Sequence, residues 1–158
     1  MQPRITVAIP VYNMEETVEK AVRSVMEQTY RDFELVVVDD GSTDSTPAIL
    51  DSLAAEDGRV RVIHQKNQGR AGARSTGVKN ARGEYLAWLD ADDWMEKEAL
   101  EKLISAIDAT GAEVALCNYA NVELSGKRIR RYPETENTVI TGREALMNVL
   151  SRKFTQSL

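Results

Sequence analysis

Apolar positions along this chain follow two rhythms, short β-branched runs and longer stretches at helical spacing. Ile5-Thr6-Val7-Ala8-Ile9, stopped by Pro10, predicts a first strand. Asn13 as N-cap with Glu16 three residues on, followed by Val18, Ala21, Val22, Val25 and Met26, predicts a helix over 15–28 with one buried stripe. Leu35-Val36-Val37-Val38 is the second strand. Thr46 as N-cap and Pro47 as first helical residue open a helix through about Ala55, and Val60-Arg61-Val62-Ile63 is the third strand. Small residues dominate a helix over 69–81, and Tyr85-Leu86-Ala87-Trp88-Leu89 is the fourth strand. Leu100, Leu103, Ile104 and Ile107 mark a helix ending near Gly111, and 113–119 reads as a fifth strand. Beyond it, Ser125-Gly126 turns a hairpin between 120–124 and 127–132, and Thr141 with Glu144 boxes the start of a last helix over 143–150.

Strands alternating with helices at this spacing predict right-handed crossovers and an α/β three-layer sandwich. Its central sheet is mainly parallel, with ligands at the carboxyl ends of the strands. The length of 158 residues suits one domain with one core.

Charge narrows the partners. Twenty Lys and Arg against 25 Asp and Glu give a net charge of −5, which argues against a nucleic-acid partner. The balance is uneven: residues 1–122 carry 13 basic and 21 acidic side chains, and 123–158 carry 7 and 4. Lys127-Arg128-Ile129-Arg130-Arg131 accounts for most of that local excess. It reads as a solvated hairpin face, or as a peripheral contact with anionic lipid. The single cysteine, Cys117, sits beside Val114-Ala115-Leu116 and is expected to be a buried structural thiol in a reducing, cytoplasmic setting. No stretch approaches the roughly 18 apolar residues of a membrane span.

The chemistry gathers after strands one, two and four. The fourth strand runs straight into Asp90-Ala91-Asp92-Asp93, three carboxylates in four positions that repel one another unless a cation lies between them. All-oxygen ligation suits Mg²⁺ or Mn²⁺, with Asp90, Asp92 and Asp93 as candidate ligands; spacing does not decide which two touch the ion. A solvated turn capping the next helix is the plainer reading of such a cluster in isolation. After strand one stands Pro10-Val11-Tyr12-Asn13. Pro10 removes an amide where a dinucleotide fold needs its glycine cradle, which argues against hydride chemistry with NAD. After strand two comes Asp39-Asp40-Gly41-Ser42-Thr43-Asp44, where Asp40 can accept from a planar heterocycle's N–H and Tyr12 can stack on the same ring. An Asx turn before Gly41 is the plain alternative for the aspartate pair. Lone His64 is expected to be a satisfied edge residue. Trp88 and Trp94 are expected to pack in the core, with the lining of a ligand pocket as the alternative for Trp94.

Taken in order, the run from Ile5 to Asn13, Val37-Val38-Asp39-Asp40-Gly41-Ser42-Thr43-Asp44, Asn67-Gln68-Gly69 with Gly72-Ala73-Arg74, and Gly83-Glu84-Tyr85 leading to Leu89-Asp90-Ala91-Asp92-Asp93 resemble glycosyltransferase family 2, over roughly residues 4–120. The resemblance implies the Rossmann-like GT-A fold, a nucleotide-diphosphate sugar as donor, UDP-linked most often, and Mn²⁺ or Mg²⁺ as cofactor. By position it sets Pro10, Tyr12 and Glu15 beside base and ribose, Asp40 on the uracil, Asp92 against ribose and metal, and Asp93 as a direct ligand. Arg74 would face the diphosphate, or else make a surface ion pair. The implied reaction is inverting transfer to a glycan or lipid-linked acceptor in polysaccharide biosynthesis at the cell envelope, with any peripheral contact at the membrane's inner face. Apolar surface left uncovered by an incomplete acceptor half would favour a homodimer. Such transfer needs a carboxylate base from the second half of the domain, and no acid pair in an apolar context follows residue 120. The expectation is therefore one domain over 1–158, with 4–120 its nucleotide-sugar half, 121–158 an incomplete acceptor-side half and the base beyond residue 158. Two rivals remain: a non-catalytic nucleotide- and metal-binding module, and a phospho-receiver-like acidic pocket.

Overall fold

A computed structural model describes residues 2–122, 128–131, 139–141 and 144. The chain divides into two compact units, Met1–Glu101 and Lys102–Leu158.

The first unit is built on β1 (Ile5–Val11), β2 (Phe33–Asp39), β3 (Val60–His64) and β4 (Tyr85–Trp88), joined by α1 (Val18–Met26), α2 (Thr46–Glu56) and α3 (Gly69–Asn80). All four strands are parallel, in the order β3-β2-β1-β4. The two central strands are the most apolar and the most deeply buried, with Val7, Ala8, Ile9, Leu35, Val36 and Val37 wholly out of solvent. The path from β1 through β2 to β3 runs one way across the sheet, and the step from β3 to β4 runs back. Right-handed crossovers therefore set α1 and α2 on one face and α3 on the other. Ala73 of α3 packs with Val36, Val38 and Ile63 on that second face. Gly77 lets the helix approach closely, since a Cβ there would stand 3.3 Å from the Trp88 ring and 3.4 Å from Ala8 Cβ.

Pro10 does not end β1, contrary to expectation; the strand continues to Val11, with Pro10 opposite Val38. Ala8 O accepts from Leu89 N–H, so even-numbered residues of β1 turn their backbone groups toward β4, whose pairing stops at Trp88 opposite Ala8. The missing amide of Pro10 lies past that last pair, where no ladder bond is lost. Helix α1 also begins later than predicted, with Thr17 rather than Asn13 at its N-cap. Asn13 adopts φ 51°, and its Oδ1 accepts from Thr43 N–H at 2.8 Å, so the capping group serves the neighbouring loop. Ser45, not Thr46, is the N-cap of α2, because Thr46 Oγ1 accepts from Met14 N–H.

At the amino end of the sheet lies a buried polar cluster. Thr6 Oγ1 and Arg82 N–H donate to Glu34 Oε1, and Arg61 Nη1 donates to Oε2 at 2.9 Å. Burial alone would raise the Glu34 carboxyl; these bonds outweigh it and hold the group below its ordinary range.

Helix α4 (Ala99–Thr110) ends at Gly111, whose φ of 67° suits the left-handed C′ position. In the second unit β5 (Ala120–Val122) pairs antiparallel with β6 (Arg128–Arg131) as the predicted hairpin requires. The strand predicted over 113–119 is not formed. No described strand takes its backbone bonds, Leu116 is 83% exposed, and Cys117 is exposed rather than buried. Thr141 and Glu144 make the reciprocal bonds of a capping box, Glu144 Oε2 accepting from Thr141 N–H at 2.8 Å and Thr141 Oγ1 from Glu144 N–H. The rest of the helix predicted over 143–150 lies outside the described residues. Among the described residues no helix is long and apolar enough to cross a membrane.

Candidate functional site

Because β1 lies between β2 and β4 in a parallel sheet, the segments after these three strands emerge side by side at one edge. Tyr12 follows β1 directly and is 46% exposed, its ring available to a ligand; Pro10 is half-buried within the strand.

The loops after β1 and β2 are stitched together by backbone-to-side-chain bonds. Asn13 N–H donates to Ser42 Oγ, and Glu15 N–H to Asp44 Oδ2. Glu15 Oε2 in turn accepts from Ser45 N–H at 2.9 Å, so this exposed carboxylate caps α2. Asp39 and Asp40 divide their work. Asp39 Oδ1 closes the turn by accepting from Ser42 N–H, and its Oδ2 lies 2.8 Å from His64 Nδ1. His64 Nε2 meets Asp51 Oδ1, satisfying both ring nitrogens, and the two carboxylates hold the imidazole above its ordinary range. Asp40 is also buried; its Oδ1 accepts from Gln65 Nε2 at 2.6 Å and Gln68 N–H at 2.9 Å. Gly41, at φ +77°, brings this loop against the next, and a Cβ there would stand 2.9 Å from Asn67 N. Gln65 is absent from the sequence analysis, although it sits just past β3 at the same edge that singled out Asp40; Gln68 figures there only within the motif Asn67-Gln68-Gly69.

Past β4, Asp93 N–H donates to Asp90 O and closes the acidic segment into a tight turn. Arg74, on α3, donates from Nη2 to Asp90 Oδ1 at 2.9 Å, and its guanidinium lies 5.0 Å from the Trp88 ring centre. The Nε of Arg74 is buried with no hydrogen-bond partner among the described residues. Asp92 and Asp93 are exposed at the residue level. Partial burial and the charges of Asp92 and Asp90 push the Asp93 carboxyl above the ordinary aspartate range. Such a set of hard oxygen donors fits a divalent cation, with Asp90 already shared with Arg74. Among the described residues no three His, Cys, Asp or Glu side chains are gathered closely enough to hold an ion by themselves. One or two carboxylates completed by substrate phosphates are the usual arrangement for Mg²⁺. Trp94 is not in the core: it is partly exposed, and Lys20 Nζ lies 3.1 Å from its ring centre.

Comparison with known proteins bears on the family and the fold. Glycosyltransferase GlyA of Streptococcus pneumoniae is 41% identical over 116 residues, 73% of this chain and 17% of that protein. The structure of S. aureus TarS 1–349 in complex with UDP-GlcNAc superposes with a TM-score of 0.72 at 28% identity, covering 84% of this chain and 38% of that one. The mannosyltransferase PcManGT from Pyrobaculum calidifontis, in complex with GDP-Man and Mn²⁺, gives a TM-score of 0.62 at 30% identity over 68% of this chain and 33% of that one. The two solved structures have the GT-A fold, and the chain spans well under half the length of each of the three relatives. The phospho-receiver alternative is set aside by the same comparisons. Residues 6–155 match the family model described as glycosyl transferase family 2, and the chain belongs to that family.

Proposed function

We propose that this chain binds a nucleotide-diphosphate sugar, UDP-linked, together with Mn²⁺ or Mg²⁺. It serves as the donor-binding part of an inverting glycosyltransferase acting on a glycan or lipid-linked acceptor. One observation carries the reading: Tyr12, Asp40 and the acidic turn Asp90–Asp93 follow three adjacent parallel strands and share one edge of the sheet. That edge offers a ring for stacking, a carboxylate for a base N–H, and acids for a metal-bound diphosphate.

In this reading Tyr12 stacks on the base, and Asp40, preorganised by Gln65 and Gln68, accepts from the uracil N3–H. Pro10 and Glu15 border base and ribose, Asp92 borders the ribose and the ion, and Asp90 and Asp93 complete the acidic set. Arg74 already pairs with Asp90. Its buried Nε–H, unpartnered among the described residues, represents a cost of about 1–3 kcal/mol that a shift toward an anionic diphosphate relieves. A divalent ion bound there would neutralise charge as it develops on the leaving diphosphate. No described residue is assigned as general base. The relatives bound to UDP-GlcNAc and to GDP-Man with Mn²⁺ support a nucleotide-sugar donor. UDP rather than GDP rests on Asp40.

Calorimetric titration of UDP into the chain, with Mn²⁺ and again with EDTA, tests the reading. Binding that needs the metal, and that weakens in both Asp92→Asn and Asp40→Ala, is expected. A correctly folded chain that binds UDP under neither condition would sink it.

A further inference from the structure

We propose that Gln28 and Lys20 are positioning residues for the acidic turn, holding Asp92 and Asp93 in place from helix α1 and the residues just after it; the inference rests on the donor-site reading above. Residues 93–96 have no regular secondary structure, yet they begin with one candidate ligand, Asp93, and follow directly on another, Asp92. A connecting segment of this kind is mobile unless something ties it down.

Several such ties come from α1 and the residues just after it. Lys20 Nζ caps the Trp94 ring at 3.1 Å. Met95 N–H donates to Ser24 Oγ, whose own hydroxyl donates to Ala21 O. Gln28 Nε2 donates to Glu96 O at 2.8 Å and to Ser24 O at 3.0 Å, while its Oε1 accepts from Leu100 N–H at 3.0 Å. Thr29 N–H donates to Lys97 O. Four successive residues, Trp94 to Lys97, are thus each anchored to α1 or the residues that end it. At the other end, Leu89 N–H is bonded to β1 at Ala8 O. The acidic turn is a short bridge between two fixed supports.

Gln28 is the centre of this arrangement. It is wholly buried, and only an uncharged amide supplies two donors to carbonyl oxygens and one acceptor to an amide N–H at once. A carboxylate of the same shape would face two carbonyl oxygens with no proton to offer. Lys20, by contrast, is exposed, and its loss leaves no buried group unpaired. The two residues therefore probe one function from opposite ends of the stability scale.

The test measures Mn²⁺ affinity in the presence of UDP by calorimetry, alongside amide hydrogen exchange in the metal-free chain. Lys20→Met keeps the apolar stem and removes the charge. It is expected to weaken Mn²⁺ binding by about 2- to 5-fold and to speed exchange over 93–97, leaving 33–39 unchanged. Lys20→Arg, which also stacks on the indole, is expected to restore affinity to within about twofold. Gln28→Glu, measured where circular dichroism shows it folded, is expected to lose about tenfold or more. A Lys20→Met chain that binds Mn²⁺ and UDP as the parent does, with unchanged exchange over 93–97, overturns the inference whether or not Gln28→Glu folds. A parent chain that binds neither overturns the donor-site reading beneath it.

Discussion

Arg74 Nη2 donates to Asp90 Oδ1 at 2.9 Å, tying α3 to the first acid of the turn after β4. The pair is well exposed, 39% and 45% for the two side chains, so it contributes at most ~1 kcal/mol to stability. Its placement beside the acidic turn matters more. Arg74→Ala is expected to shift the thermal midpoint by less than about 4 °C. UDP affinity in the presence of Mn²⁺ is expected to fall by about tenfold, the worth of a lost charge-assisted bond, as read by calorimetry. A large midpoint drop with unchanged affinity would mark Arg74 as purely structural.

In the proposed function, the preference for UDP rests on Asp40. Asp40→Asn keeps the shape but sets an amide group among the donors of Gln65 and Gln68, and it removes the charge that a uracil N3–H would meet. UDP binding is expected to weaken by about tenfold. Competition of UDP against GDP on both chains is the measurement, and an unaltered ratio of the two affinities would contradict a role in reading the base.

Gly41 occupies a conformation that side chains resist and touches the 65–67 loop at the same time. Gly41→Ala is expected to cost about 2 kcal/mol or more, lowering the thermal midpoint by ~5 °C or more. Gly58→Ala is the control: no heavy atom stands within 4 Å of a Cβ there, and a midpoint close to the parent's is expected.

His64 imposes a pH dependence beside the Asp39–Asp40 turn. Its imidazolium bridges Asp39 and Asp51, which raises its folded pKa above the unfolded value. The stabilisation is therefore fully present below about pH 6.5 and is lost as pH rises through the folded pKa. Thermal midpoints measured from pH 5.5 to 8.5 are expected to fall across that window in the parent chain and to flatten in His64→Gln. A parent profile identical to that of His64→Gln would show that the bridge is not charged.

Most of the first unit was legible in its apolar rhythm. Runs such as Leu35-Val36-Val37-Val38 have few ways to bury every side chain except as a central parallel strand, and the stripe from Val18 to Met26 can be covered only as a helix. The misreadings share a cause. A missing amide predicts that Pro10 stops its strand, but which neighbour that amide would have met depends on where β4 ends. The spacing of Asn13 to Glu16 predicts a helix cap, yet Thr43, thirty residues on, claims the same oxygen. The run 113–119 has strand-like composition, but a strand exists only where another backbone accepts its bonds.

By itself the sequence determined the alternation of strands and helices, the parallel sheet it implies, and the polar residues stationed at the strand ends, because burial period and turn chemistry are local properties of the chain. Only the tertiary structure decided that β1 stands between β2 and β4, so that Tyr12, Asp40 and Asp90–Asp93 meet at one edge. It alone also showed that Gln28 and Lys20 reach the residues after that acidic turn. Strand order and long-range hydrogen bonds are settled by which distant surfaces cover one another, and no window of neighbouring residues contains that information.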